Sequence, residues 1–222
     1  MILTIRPEPG CTATARAGRA AGLAIEGQPL FEVRPLVWEA PAVEAIDALL
    51  IGSANAVRQA GSSLDLFRAK PVYAVGETTA AAAQAAGLTV ASIGRADLQS
   101  LIETLTAPRR LLRLTGAEHV PLAEPAGIEI ETRVVYESAP LPLPDELAAK
   151  LRGGALVLLH SAAAARHFAS ECDRCEVPRS TVAIAALAPR IVDAAGQGWR
   201  EVRSAAERTE AALLALARDM CH

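Results

Sequence analysis

The sequence of 222 residues predicts an α/β protein with two similar three-layer α/β/α domains. Each domain is expected to hold a mostly parallel five-stranded sheet, and a two-stranded antiparallel linker is expected to join them. Short apolar runs alternate with Ala-rich segments that begin at polar residues, as parallel strands buried on both faces and followed by helices do. The chain also repeats itself at an offset of about 108 residues. Two long extended stretches, 24–36 and 127–138, lie at matching places in the two copies.

The first copy is predicted to alternate strands and helices from its beginning. Residues 2–6 form a strand, 10–23 a helix, and 24–36 an extended stretch that Pro29 and Pro35 interrupt. A short helix at 41–48 leads into the central segment. There we expect strands at 47–52, 71–76 and 88–93, with helices after Ser53, after Glu77, and from Asp97 to 105. Ser, Asn, Asp and Thr at such junctions cap the free N–H groups of a helix.

The second copy follows the same pattern. Its predicted strands are 109–114, 155–160, 182–185 and 199–202, together with the extended stretch 127–138. Its predicted helices are 118–126, 146–151 with Asp145 as cap, 161–170, 189–195 and 209–220. A Pro-rich segment at 140–144 separates the two halves of this copy.

The repeat predicts how the domains divide. Matching residues lie 105 to 109 apart, and the matched pairs are Arg6 and Arg113, Ser53 and Ser161, Gly87 and Gly196, Phe31 and Tyr136, and Pro35 and Pro140. Each extended stretch is too long for one small sheet, so we expect it to begin in one domain and cross to the other. This gives a discontinuous domain of 1–33 plus 139–222, a second domain of 38–131, and a linker of 34–37 and 132–138. The carboxyl ends of both sheets would then line a cleft, the usual place for ligands in open α/β sheets.

Composition restricts the function classes. The net charge of −3 does not favour nucleic acid or an anionic membrane as a partner. No apolar run is long enough to span a membrane, and the first residues lack a signal-peptide pattern. We therefore expect a soluble cytoplasmic protein. A monomer is expected as well.

The four cysteines offer only a weak motif. Cys172 and Cys175 form a lone C-x-x-C, and His167, Cys221 and His222 could add ligands. There is no second C-x-x-C pair, and the motif follows a predicted helix rather than opening one, so its thiols gain nothing from a helix dipole. We expect no metal and no redox centre here, only a surface loop.

Five short segments, in this order and spacing, resemble the uroporphyrinogen-III synthase family. They are Thr-Ile-Arg-Pro at 4–7, Leu-Ile-Gly-Ser-Ala-Asn-Ala-Val-Arg at 50–58, Val-Tyr-Ala-Val-Gly-Glu-Thr-Thr at 72–79, Val-Val-Tyr-Glu-Ser at 134–138 and Leu-Leu-His-Ser at 158–161. The resemblance implies two α/β domains joined by a two-stranded ladder. It also implies a cofactor-free cyclisation, in which hydroxymethylbilane loses water and closes to uroporphyrinogen III with its terminal pyrrole ring inverted.

The resemblance also implies a site. Such a substrate carries eight carboxylates, which helix N-termini and arginines can bind. The expected substrate-binding residues are Arg6, Ser53, Asn55, Gly76, Thr78, Thr79, Arg113 and Ser161. Tyr136 matches the family's tyrosine, which is proposed to assist loss of the hydroxyl as a general acid.

Each of these residues also has a purely structural interpretation. The serines, threonines and Asn55 could simply cap helices, and the arginines could be solvated or paired at strand ends. Tyr136 could pack against apolar neighbours, as its counterpart Phe31 would, and His160 is expected to be a satisfied histidine near the core. One segment departs from the family, because Ala186 and Leu187 stand where the second copy usually has a hydroxyl-bearing turn.

Two other function classes compete with this interpretation. A nucleotide-binding enzyme is disfavoured because neither G-x-G-x-x-G nor G-x-x-x-x-G-K-[ST] occurs in the sequence. A non-catalytic two-domain protein that binds or senses a small molecule remains the alternative.

Overall fold

The computed structural model describes residues 1–106 and 109–221. In chain order the strands are β1 (Ile2–Thr4), β2 (Ile25–Gly27), β3 (Phe31–Pro35), β4 (Ala48–Ile51), β5 (Pro71–Val75), β6 (Thr89–Gly94), β7 (Arg109–Gly116), β8 (Ile128–Pro140), β9 (Ala155–Leu159), β10 (Val182–Ala186) and β11 (Glu201–Ser204). The α-helices are α1 (Gly10–Ala20), α2 (Ala54–Gln59), α3 (Glu77–Ala85), α4 (Leu98–Ile102), α5 (Asp145–Arg152), α6 (Ala162–Arg174), α7 (Pro189–Ala195) and α8 (Glu210–Asp219). In the described part of the chain, 3-10 helices lie at Val43–Ala45, Gly61–Phe67 and Arg179–Thr181. In the described residues, no helix is long and apolar enough to cross a membrane.

The chain divides into two compact units, one of residues 1–32 and 139–222 and one of residues 33–138. We call them unit 1 and unit 2. The sheet of unit 1 has the order β11-β10-β9-β1-β2, and its neighbouring strands pair in parallel. The second sheet has the order β3-β8-β7-β4-β5-β6, and the strands from β8 to β6 pair in parallel. These parallel sheets confirm the predicted α/β class.

The strand β3 adds a sixth, antiparallel member to the second sheet. Leu36 N donates to Val135 O, and Leu141 N donates to Leu30 O. Because the residue numbers increase in opposite directions along the two strands, β3 and β8 are antiparallel. The predicted extended stretch 24–36 is thus two strands, β2 in the sheet of unit 1 and β3 beside β8. The break falls at Gln28 and Pro29, where Gln28 N still bonds Thr4 O.

Both sheets are covered on two faces, which explains their continuous apolar runs. On β9, Val157 and Leu159 pack against α5, α6 and α7, whereas Leu156 and Leu158 pack with α8 on the other face. In unit 2 the same alternation holds for β4, because successive side chains of a strand point to opposite faces. One face meets α2, the 3-10 helix Gly61–Phe67 and α3, and the other meets α4.

The two sequence copies interleave in the sheets. The first copy supplies β1 and β2 to unit 1 and β4, β5 and β6 to unit 2. The second copy supplies β7 and β8 to unit 2 and β9, β10 and β11 to unit 1. Apart from β3, the two sheets therefore have the same strand order, each with three strands from one copy and two from the other.

Some local predictions were wrong. Residues 118–126 form no helix, because Pro121 and Pro125 lack the N–H groups that a helix needs. Asp145 is the first residue of α5 rather than its cap, and Pro144 takes the cap position without a side-chain hydrogen bond. The predicted helix at 41–48 shrinks to the 3-10 turn Val43–Ala45.

Candidate active site

Ser53 links the central strand of unit 2 to a helix. It follows β4 in an extended conformation (φ −147°, ψ 134°), and its Oγ accepts the backbone N–H of Asn55 at 3.2 Å. This is the predicted capping contact, and it sets the hydroxyl at the carboxyl edge of the sheet. Asn55 is half-buried in the first turn of α2, where its side-chain oxygen accepts a hydrogen bond from Arg58 at 3.3 Å.

The phenol of Tyr136 reaches the same hydroxyl. Tyr136 lies on β8, separated from β4 by β7, and its O–H donates to Ser53 Oγ at 3.2 Å. A serine oxygen has two lone pairs, and here both are used, by Asn55 N–H and by Tyr136 O–H. The Ser53 proton is therefore available for an acceptor outside this pair.

Gly76, Thr78 and Thr79 lie at the end of the adjacent strand. Gly76 has φ +79°, which favours glycine, and it leads into α3, where Thr79 N and Ala80 N both donate to its carbonyl at 3.1 Å. Thr78 is exposed, but Thr79 is only 5% exposed. Strand β5 pairs with β4, so this helix start lies beside the Ser53 junction. Of the two threonines, only Thr78 offers its side chain to solvent.

Ser161 repeats the capping arrangement in unit 1. It follows β9, has φ −147° like Ser53, and accepts the N–H of Ala164 at 3.1 Å. The prediction that the two serines are counterparts is confirmed in their local structure. No tyrosine hydrogen bond to Ser161 is found in the described residues.

Arg6 lies in a charged cluster that the sequence did not reveal. Its Nη1 is 3.3 Å from Glu210 Oε2 and 3.3 Å from Thr14 Oγ1, while Thr14 Oγ1 donates to Glu210 Oε1 at 2.6 Å. The guanidinium also lies over Gly10, where a Cβ would be 2.4 Å from its Nε. Because Arg6 and Glu210 are 204 residues apart, no local pattern could have predicted their pairing.

His160 completes this cluster. Its Nε2 is 3.1 Å from Glu210 Oε2, its side chain is 9% exposed, and its Nδ1 has no partner among the described residues. Burial alone would raise the pKa of Glu210, but the hydrogen bonds from His160 and Thr14 and the charge of Arg6 hold that pKa below its usual value. The carboxylate is thus ionised at neutral pH and neutralises Arg6.

Arg113 is buried away from the Ser53–Tyr136 pair. It is 5% exposed, its Nη2 donates to Val120 O at 2.9 Å, and its Nε has no partner among the described residues. Burial lowers the pKa of its guanidinium. Leu112 packs on the same face of the sheet as Tyr136. Because successive side chains of a strand point to opposite faces, the side chain of Arg113 lies on the other face.

Strand register also corrects the predicted match between Arg6 and Arg113. Leu50 and Leu158 each precede their capping serine by three residues, and their neighbours in the sheet are Arg113 and Thr4. Thr4 therefore takes the place of Arg113 in unit 1. The predicted match of Arg113 with Arg6 was therefore wrong by two residues. Short motifs do not show where residues are inserted or deleted between the two copies, so they cannot fix the alignment to that precision.

The cysteine motif is not a surface loop, contrary to the prediction. Cys172 lies inside α6 and is fully buried, and Cys175 is the C-cap of that helix. Burial is the main cause that raises the pKa of Cys172 to about 12, which leaves the thiol protonated and unreactive at neutral pH. In residues 1–106 and 109–221, no three His, Cys, Asp or Glu side chains are grouped as metal ligands. His222 lies outside the described residues.

Comparisons with known proteins agree with the resemblance. No curated protein sequence matches the chain significantly. Uroporphyrinogen-III synthetase of Helicobacter pylori has a similar structure, with a TM-score of 0.65, 18% identity, and 99% of this chain and 98% of that one covered. A mutant uroporphyrinogen III synthase of Thermus thermophilus follows, with a TM-score of 0.54, 17% identity, and 100% and 99% covered. The profile of the uroporphyrinogen-III synthase family HemD (HEM4) matches residues 12–215, and the chain therefore belongs to this family.

Proposed function

We propose that Tyr136 and the helix starts beside it carry out the reaction of this family in the present chain. The enzyme acts in tetrapyrrole biosynthesis, where it closes hydroxymethylbilane to uroporphyrinogen III without a cofactor. The observation that supports Tyr136 is its 3.2 Å hydrogen bond to Ser53 at the carboxyl edge of the sheet of unit 2. In such sheets this edge is where ligands bind.

The proposed role of Tyr136 is general acid catalysis. The phenol gives its proton to the departing hydroxyl oxygen of the substrate, the carbon–oxygen bond breaks, and water leaves. A proton is released when the macrocycle closes, and it restores the phenol, so the cycle balances. Ser53 accepts the resting hydrogen bond and keeps the phenol oriented. Because the linear substrate is already reactive, positioning contributes more than bond activation.

The carboxylates of the substrate need hydrogen-bond donors and positive potential. The start of α3, a helix of nine residues, offers backbone N–H groups and the exposed hydroxyl of Thr78, and Gly76 leaves space above them. We assign Ser53, Asn55, Gly76 and Thr78 to this wall. Thr79 is left out of the proposed contacts, because its side chain is buried and its N–H already donates to the Gly76 carbonyl. Glu77 opens the helix with a negative charge, which repels substrate carboxylates that approach next to it.

The corresponding edge of unit 1 supplies further candidates. Ser161 is exposed at the start of α6, and we propose that it donates to a substrate carboxylate. Arg6 is neutralised by Glu210, so it binds a carboxylate only if that ion pair opens. Arg113 is left out of the proposed substrate contacts, because its guanidinium is buried and turned to the Val120 carbonyl.

Shallow grooves also occur at the opposite, amino-terminal ends of the strands. One is lined by Glu124, Glu129 and Glu131, and its Arg110 is already paired with Glu129 at 2.8 Å. Three carboxylates repel a substrate that carries eight of its own. This electrostatic argument favours the carboxyl edge over that groove.

The test is incubation of the purified protein with hydroxymethylbilane, followed by chromatographic separation of the isomers. We expect an excess of the type III product over a heat-inactivated control, and type I alone would reject the assignment. Tyr136→Phe should remain folded, by circular dichroism, and lower kcat by about 10- to 100-fold, a contribution usual for general acids. An unchanged rate and isomer ratio would remove Tyr136 from the mechanism. Size-exclusion chromatography tests the expected monomer.

A further inference from the structure

The ring of Tyr136 lies directly over Gly116. Gly116 is the last residue of β7 and the partner of Tyr136 on β8, just after a shift in register at Thr115. A Cβ on Gly116 would lie 2.6 Å from Cζ of the ring and 2.9 Å from the phenol oxygen. Real Cβ contacts are essentially never that short, so any other residue would have to displace the ring.

The backbone of Gly116 does not itself require glycine. Its φ is not among the positive values found at eight other glycines, so an alanine could adopt the conformation. The constraint is therefore the space that the tyrosine ring occupies. The neighbouring backbone is held, since Ala117 N donates to Tyr136 O at 2.9 Å and Gly116 O accepts His119 Nδ1 at 2.9 Å.

The contact determines where the phenol oxygen lies. On one side the ring rests on the bare Cα of Gly116, and at its tip the hydroxyl reaches Ser53 Oγ at 3.2 Å. A methyl group on Gly116 would lift the ring from β7 and change the distance of the hydroxyl from Ser53. A shift of about 1 Å at a reacting group can lower a rate by about 100-fold.

We propose that Gly116 is a positioning residue for the cyclisation, because its missing side chain seats the Tyr136 phenol at the sheet edge. This inference rests on the catalytic role proposed for Tyr136. Gly116→Ala is expected to lower kcat by about 10- to 100-fold and to change KM by less than about threefold, since the substrate-binding helix starts stay in place.

The kinetic test compares Gly116→Ala, Tyr136→Phe and the double variant with wild type. If Gly116 acts through the phenol, the double variant should be no slower than Tyr136→Phe alone. Gly18→Ala is the matched control, because its Cβ would meet Ile25 Cδ1 at 2.2 Å within unit 1, a comparable clash that involves no site residue. Once folded, that control should keep the wild-type rate.

Two further measurements follow the contact without using activity. The protein has two tyrosines, so 13C-tyrosine labelling gives two assignable ring signals, and Gly116→Ala should shift that of Tyr136 more than that of Tyr73. In urea unfolding, Gly116→Ala should destabilise wild type but have little effect in a Tyr136→Ala background, where the ring is absent. This second comparison remains informative if Gly116→Ala folds poorly.

The outcomes separate the inference from the function on which it rests. Two kinetic outcomes would overturn the role of Gly116 while leaving that of Tyr136 intact. One is a slow Tyr136→Phe variant together with a wild-type rate for Gly116→Ala. The other is a double variant in which the rate losses of the two single variants multiply. An unmoved Tyr136 signal would overturn the role of Gly116 as well. A wild-type rate for Tyr136→Phe would instead reject the catalytic role of the tyrosine, and the role of Gly116 in the reaction with it.

Discussion

Ser53→Ala and Ser161→Ala form a matched pair of perturbations. Both serines follow a central strand, share φ −147°, and accept one backbone N–H of the following helix. Only Ser53 also accepts a tyrosine O–H. The difference between the two variants therefore isolates what the hydrogen bond from Tyr136 contributes.

The structure gives the expected magnitudes. Loss of an N-cap side chain costs about 1 kcal/mol, so Ser161→Ala should lower the free energy of unfolding of its unit by about that amount. Ser53→Ala loses the cap and also leaves the half-buried phenol without its acceptor, which adds about 0.5–1 kcal/mol. We expect a total of about 1.5–2 kcal/mol for Ser53→Ala. If the less well oriented phenol raises the activation free energy by about 1 kcal/mol, kcat falls about fivefold.

The assay uses the two tryptophans, because one lies in each unit. Trp38 packs on the core next to α2, and Trp199 packs in the core of unit 1. Urea unfolding of Ser53→Ala is followed by Trp38 fluorescence in a Trp199→Phe background, and that of Ser161→Ala by Trp199 in a Trp38→Phe background. Equal losses of unfolding free energy in Ser53→Ala and Ser161→Ala would refute the reasoning. A Ser53→Thr variant that recovers neither the stability nor the rate would refute it as well.

Three further outcomes are expected. Burial raises the pKa of Cys172 to about 12 and that of Cys11 to about 11, so a disulfide reagent at pH 7 should label the exposed Cys221 and spare both, and rapid labelling of all four thiols would contradict this. The pKa of Glu210 is below its usual value, so this carboxylate stabilises the fold at neutral pH, and that contribution is lost as the pH falls below about 4. The difference in unfolding free energy between wild type and Glu210→Gln should accordingly be present at pH 7 and disappear in acid. A difference that grows in acid would mean that the pKa of Glu210 is raised rather than lowered. Arg113→Met should change the free energy of unfolding by less than about 1 kcal/mol and leave KM unchanged, because it replaces a buried cation that has few partners; a marked rise in KM would restore Arg113 to the substrate contacts.

The short strands and their caps could be predicted from sequence. Each strand of this kind is an apolar run a few residues long, and a capping serine ends it with a local hydrogen bond, as at Ser53 and Ser161. The helix α7 was predicted with its observed bounds, because Pro189 can start a helix and Gly196 can end it. Such signals depend on neighbours within four residues.

The rest of the site depends on partners far along the chain. The pairs Arg6–Glu210 and Tyr136–Ser53 join residues 204 and 83 positions apart, so they exist only once the sheets are assembled. Gly116 was missed for another reason, since its φ is ordinary and its role is the space that it leaves for a ring on the next strand. The burial of Arg113 depends on residues 117–126 adopting an irregular loop, which their prolines allow but do not specify.

The interleaving of the two copies bears on how the chain emerges from the ribosome. Unit 2 is one uninterrupted segment, so all its strands are available once residue 140 has been made. Strand β1 is synthesised first, yet its partner β9 begins only at Ala155. The edge of β1 in residues 1–32 therefore stays unpaired until β9, in the last third of the polypeptide, has been made. A truncation that removes this last third should leave unit 2 able to fold and the N-terminal segment exposed to proteases.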